Sequence, residues 1–143
     1  MHDLGLTQLE MGQVDEAVTL LKDCYDKRCV VLGRDHADTL TTMSHLAGAY
    51  HRQGRYIESI KLNQECLERK KISLGKNHPN TLELIFKLGL TYSALGKLDE
   101  AVTFFKDCYD RRCIVLGRDH PDTLSCAERI DSINKLIVNQ IIN

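Results

Sequence analysis

Apolar residues recur along this chain in steps of three and four, and the pattern breaks and restarts at regular places. From Ala17 the stripe continues through Leu20, Leu21, Cys24, Tyr25, Arg28, Val31 and Leu32, which puts one largely apolar face on an amphipathic helix. A second stripe, Leu40, Met43, Leu46, Ala47 and Tyr50, stops at Gly54, a residue suited to the left-handed conformation at a helix end. No run alternates with the period of a strand. Helices are therefore expected at 14–32, 37–53, 56–74, 79–95, 98–116 and 121–139, with a partial helix at 2–11 ahead of Gly12.

The breaks repeat. Gly33-Arg-Asp-His36-Ala-Asp-Thr39-Leu40 returns as Gly75-Lys-Asn-His78-Pro-Asn-Thr81-Leu82 and as Gly117-Arg-Asp-His120-Pro-Asp-Thr123-Leu124, at a step of 42 residues. Gly12, Gly54 and Gly96 keep the same step, each followed four residues later by Glu16, Glu58 or Glu100. In each connector, glycine closes one helix, polar residues turn the chain, and proline at the first helical position opens the next because its missing N–H is not needed there. Ala37 replaces that proline in the first copy at little cost, alanine being the best helix former. Units stacked at a fixed step are architecture, since each buries its apolar face against the next.

The ends depart from the rule. Residues 4–12 align with 46–54 and 88–96, so the chain starts inside a repeat. In the last helix, Asp131, Asn134 and Val138 replace the small residue, tyrosine and glycine of earlier copies, as suits a cap. The tail Leu136-Ile-Val-Asn-Gln-Ile-Ile is apolar, and is expected to fold over the last repeat or to meet another molecule. Residues 13–40 and 97–124 match at 21 of 28 positions, which implies duplication of a two-repeat block and an excerpt of a longer array.

A chain of 143 residues with 19 basic and 20 acidic side chains is long enough for a core and carries no net charge that would favour nucleic acid or an anionic membrane. Neither a secretory signal nor an apolar run of membrane-spanning length is visible, so the expected location is cytoplasmic. Cys24, Cys66 and Cys108 fall at the repeat step, while Cys29, Cys113 and Cys126 are scattered; equivalent positions in successive repeats cannot all pair, and reduced thiols are expected. The first three fill a small-residue position, where shielded thiols are expected. Cys29 and Cys113, beside Arg28 and Arg112, are the better candidates for a reactive thiol.

The histidines His36, His78 and His120 lie too far apart for one metal ion, neighbouring helix axes alone being ~8–10 Å apart. They are read as residues at the start of each helix. Phosphate loops and a nucleophile elbow are missing. Tyr50 and Tyr92 are read as packing residues rather than platforms for bases. No enzyme activity, cofactor or metal is expected.

The pattern Leu-Ala-x-x-Tyr-x-x-x-Gly-x-x-x-Glu-Ala, present as Leu46-Ala47, Tyr50, Gly54, Glu58-Ser59 and as Leu88-Gly89, Tyr92, Gly96, Glu100-Ala101, resembles the tetratricopeptide repeat. The 42-residue step and the His-Pro-Asp/Asn-Thr-Leu connector resemble its kinesin light chain variety. The resemblance implies an all-α, right-handed superhelical solenoid of antiparallel helix pairs with a C-terminal capping helix. It also implies one domain over 1–143: a partial repeat 1–36, repeats 37–78 and 79–120, and a cap 121–143.

It implies further that first helices line a concave groove for a peptide segment of a partner protein, in an adaptor or scaffold role. Carried onto this chain, the groove residues are Thr41, Ser44, His45, Gly48, His51 and Arg52, then Glu83, Phe86, Lys87, Leu90, Ser93 and Ala94. Family members often carry an asparagine clamp before the Leu-Ala pair; His45 and Lys87 stand there instead, so the expected ligand is an acidic segment that pairs with His45, His51, Arg52 and Lys87. A different class of function is a structural array that self-associates through the apolar C-terminal tail within a larger signalling protein.

Overall fold

The computed structural model describes residues 4–142, with side chains described from residue 12 onward. Six helices follow one another: α1 (Leu4–Val31), α2 (Ala37–Arg52), α3 (Tyr56–Leu74), α4 (Pro79–Ala94), α5 (Leu98–Leu116) and α6 (Pro121–Ile142). Five of the six start where the connectors place a start. No strand occurs among the described residues, and no helix there is long and apolar enough to cross a membrane.

The connectors work by the chemistry of their residues. Gly33, Gly75 and Gly117 hold φ values of 92°, 94° and 94°, a region costly for any residue with a Cβ. The histidine that follows is the N-cap: the Nδ1 atoms of His36, His78 and His120 accept from the backbone N–H groups of Asp38, Asn80 and Asp122 at 3.0, 3.1 and 3.0 Å. Each satisfies a helix donor that would otherwise lack a partner. The proton of each neutral ring must then sit on Nε2. Arginines on second helices tie back to the connector before them, Arg69 to Asp35 at 2.6 Å and Arg111 to Asn77 at 3.0 Å.

Helix α1 corrects the expectation of a break at Gly12. Gly54 and Gly96 adopt positive φ, and the N–H groups of Arg55 and Lys97 close the turn onto the carbonyls of Tyr50 and Tyr92, both at 2.9 Å. Gly12 instead stays helical, so the partial helix and the helix expected at 14–32 are one. At the other end α6 runs three residues past the expected stop.

The chain divides into two compact units, Met1–Arg69 and Lys70–Asn143. In the first, Val18, Leu46, Ala49 and Tyr50 form a core with Leu21 and Leu62 against it. Cys66 is fully buried there with its Sγ 3.6 Å from the Leu40 carbonyl, and the Ser59 hydroxyl donates to the Ala47 carbonyl at 2.7 Å. In the second, Ala101, Phe105 and Ile133 form the core, with Phe86, Leu90, Tyr92 and Ile137 packed around it. Tyr50 and Tyr92 are packing residues, the latter stacked on Phe104 at 5.2 Å between ring centroids. The C-terminal tail folds only in part: Ile137 packs against the core, whereas Leu136, Val138, Ile141 and Ile142 are exposed. Asp131 and Asn134 are exposed as well.

Candidate functional site

Two surfaces carry the side chains from which recognition could be built. On α2, Thr41, His45, Gly48 and Arg52 are exposed at steps of four, three and four, a continuous strip. The opposite face, Leu40, Met43, Leu46, Ala47 and Tyr50, is spent on packing. Ser44 does not join the strip, for it is only 8% exposed. His51 is half-buried with its ring edge-on to Tyr56 at 5.1 Å. Burial lowers its pKa, so at neutral pH the imidazole is uncharged and brings no positive charge to an acidic ligand.

On α4 the matching positions are Glu83, Lys87, Leu90 and Ala94. Glu83 and Ala94 are exposed; Lys87, Leu90, Phe86 and Ser93 are half-buried. Lys87 pairs with Glu83 on its own helix at 3.7 Å. Phe86 turns inward, edge-on to Phe105 with centroids 5.2 Å apart, and Leu90 leans on the same cluster. Both serve the core as much as the surface.

The sharpest chemistry lies where α4, α5 and α6 meet, and of its residues only Glu83 and Phe86 were among the sequence candidates. A cavity of about 350 Å³ is lined by Pro79, Asn80, Leu82, Glu83 and Phe86 from α4, Arg112 and Leu116 from α5, and Asp122 and Ser125 from α6. Arg112 is 7% exposed. Its Nη1 donates to the Asp122 carbonyl at 2.8 Å and to Cys126 Sγ at 3.3 Å, and its guanidinium lies 5.0 Å over the Phe86 ring. A buried arginine needs such partners. The equivalent Arg28 donates to the Asp38 carbonyl at 3.1 Å and to Thr42 Oγ1 at 2.6 Å. The sequence signal was available at the repeat step, where Arg28, Lys70 and Arg112 accompany Thr42, Leu84 and Cys126.

All six cysteines are free thiols. Cys66 and Cys108 are shielded as expected, but Cys24 is only half-buried. Cys66 and Cys108 each lie against a carbonyl 26 residues earlier, Leu40 and Leu82. Cys29 and Cys113 are half-buried, each hydrogen-bonded to the tyrosine one turn earlier. Burial first, then the Cys29 bond, pushes Tyr25 up to about 12, and the bond to Cys113 raises Tyr109.

Comparison with known proteins agrees with this architecture. The family model for the tetratricopeptide repeat matches residues 1–71 and 38–114. No curated protein matches the chain. Among solved structures, the nearly identical TPR-like repeats of a putative kinesin light chain from Podosopora anserina share 27% identity with a TM-score of 0.74, over 87% of this chain and 59% of that one. A variant of the same protein gives 26% and 0.76, over 91% and 62%. BtubC (BKLC) from P. vanneervenii has a TM-score of 0.80 at 16% identity over 87% of this chain and 50% of that one, a likeness of fold alone. The chain thus spans less than two thirds of each of these structures.

Proposed function

The chain belongs to the tetratricopeptide repeat family, with repeats of the kinesin light chain type, and from that premise we propose that it is a cytoplasmic adaptor or scaffold module holding a peptide segment of a partner protein along the exposed faces of its first helices. Repeats of this family mediate protein–protein interaction. The observation that carries the finer reading is the α2 strip of Thr41, His45, Gly48 and Arg52, exposed while the rest of that helix is spent on packing. The side chains at these positions differ from those at the same positions of α4, and differing side chains on a shared frame are where specificity resides. We read residues 1–143 as one repeat domain with α6 as its cap, and assign it no catalytic role.

An acidic segment is the ligand class we favour. With His51 neutral, the charge it meets comes from Arg52 on α2 and Lys87 on α4, and Lys87 must give up Glu83 to engage it. A peptide-library pull-down followed by titration of the selected peptide tests this. Replacing Arg52 and Lys87 together with glutamate should weaken binding at least tenfold, roughly 1.4 kcal/mol or more. Unchanged affinity would remove the first-helix faces from the account. The second reading, self-association, is favoured by Leu136, Val138, Ile141 and Ile142, exposed on the last two turns of α6. Light scattering decides it: a strict monomer at high concentration that still binds peptide excludes the self-associating array.

A further inference from the structure

Second helices α3 and α5 dock on the first helices before them through the same two contacts. Cys66 and Cys108 are fully buried, with Sγ 3.6 Å from the Leu40 carbonyl and 3.3 Å from the Leu82 carbonyl, each 26 residues earlier. Arg69 and Arg111 pair with Glu65 and Asp107 on their own helices and also reach Asp35 and Asn77, each 34 residues earlier in a connector.

The matching face of α1 is open. Leu20, Cys24, Lys27 and Val31 share one side of the helix; Leu20 and Val31 are exposed, Cys24 is half-buried, and a hollow of about 400 Å³ lies beside Cys24, Lys27, Val31 and Leu32. Lys27 keeps the partner on its own helix, Asp23 at 2.9 Å. The face of α6 that corresponds to the buried faces of α2 and α4 is open too. Leu124 is 46% exposed where Leu40 and Leu82 are 3% and 1% exposed, Asp119 is exposed, and a hollow of about 280 Å³ is lined by Tyr109, Ala127, Ile130, Asp131 and Asn134.

We propose that these two faces belong together: α1 of a second copy docks on α6 as α3 docks on α2 and α5 on α4, joining copies head to tail. One register satisfies both contacts. Three 42-residue steps carry Cys24 of the second copy to the place 26 residues beyond Leu124, and Lys27 of the second copy to the place 34 residues beyond Asp119. The Leu124 carbonyl then faces a thiol, the Asp119 carboxylate gains an ammonium of opposite charge, and the apolar face of α1 leaves water. This inference rests on the self-association reading above, to which it gives an interface, and draws nothing from the peptide reading.

Such a contact joins unlike faces, so each outer end still offers one of them and growth does not stop at a dimer. Asp131 and Asn134 stand where α2 and α4 have Ala47 and Gly89, then Tyr50 and Tyr92. The fit is therefore best at the connector end of α6 and poorer toward its C-terminus, which makes association dependent on concentration.

The test mixes equal amounts of light and nitrogen-15-labelled 143-residue chain, adds a zero-length carbodiimide cross-linker, and combines peptide mass spectrometry with sedimentation over a range of concentrations. The expected result is an average mass that keeps rising with concentration and a Lys27–Asp119 link between light and heavy chains. V31E should weaken association at least tenfold and K27E about fivefold, with helical circular dichroism retained. D119K added to K27E should recover most of the loss, and D131A with N134Y should tighten association. A chain that stays monomeric at millimolar concentration would overturn this interface and the self-association reading together. Association that stops at a dimer, lacks the Lys27–Asp119 link, or ignores V31E would overturn this interface alone.

Discussion

Residues 13–40 and 97–124 are near copies, matching at 21 of 28 positions, yet they end in different surroundings. Cys108 is fully buried where Cys24 is half-buried, Arg112 is buried where Arg28 is half-exposed, and Phe105 is fully buried where Leu21 is partly so. The cause lies outside the copied segment. Ahead of α5, the turn at Gly96 folds α4 back onto it, and Gly89 and Phe86 receive the Phe105 ring. Ahead of the matching part of α1, Gly12 stays helical, so the residues before it cannot fold back over Leu20 and Cys24. Leu20 is accordingly 71% exposed. One turn, made or not made, decides whether the same residues form a core or a surface.

Substitutions at matched positions can break this comparison, and the largest contrast is at the aromatic ring. Phe105→Ala should destabilise by ~3–5 kcal/mol in urea unfolding, whereas Leu21→Ala, at a partly open site, should cost about 1 kcal/mol. Similar losses for both would mean that the two faces are equally covered. Next come the arginines. Arg112→Met strips a charged donor from the Asp122 carbonyl and should cost ~1.5–3 kcal/mol; Arg28→Met, in a wetter site, should cost about half that.

Small residues sharpen the point further. A Cβ on Gly89 would lie 2.7 Å from the Phe105 ring, while one on Gly48 would meet nothing within 4 Å. Gly89→Ala should therefore destabilise by ~1–3 kcal/mol through overpacking, and Gly48→Ala should stabilise by ~0.5–1 kcal/mol as an ordinary helix substitution. The smallest effect is a dependence on pH. The folded pKa of His51 lies below the unfolded value of 6.5, so the unfolded chain binds the proton first and stability should fall as pH drops below that value. In H51Q this component should vanish from a pH series of melts.

Much of this architecture was legible because the connectors punctuate it. Glycine, capping histidine and proline act locally, so the starts at Ala37, Tyr56, Pro79, Leu98 and Pro121 could be read directly. Gly12 could not, since its neighbours match those of Gly54 and Gly96, yet it stays helical where they turn. On α2 the candidates came from the family resemblance; Thr41, His45, Gly48 and Arg52 are exposed, whereas Ser44 is buried and His51 half-buried. Phe86 and Leu90 were harder, because their inward turn depends on the size of Phe105, a partner on another helix. The Arg112 and Cys126 contact was missed for a related reason: residue 126 differs from its counterparts Thr42 and Leu84, and attention to what repeats passes over it.

Recognition through the first helices is the central claim, and chemical-shift mapping of a selected peptide on the isotopically labelled chain tests it most directly. The account predicts shifts concentrated at Thr41, His45, Gly48 and Arg52 on α2 and at Glu83, Lys87 and Ala94 on α4. Shifts confined to the exposed faces of α3 and α5, or to the last turns of α6, would contradict it.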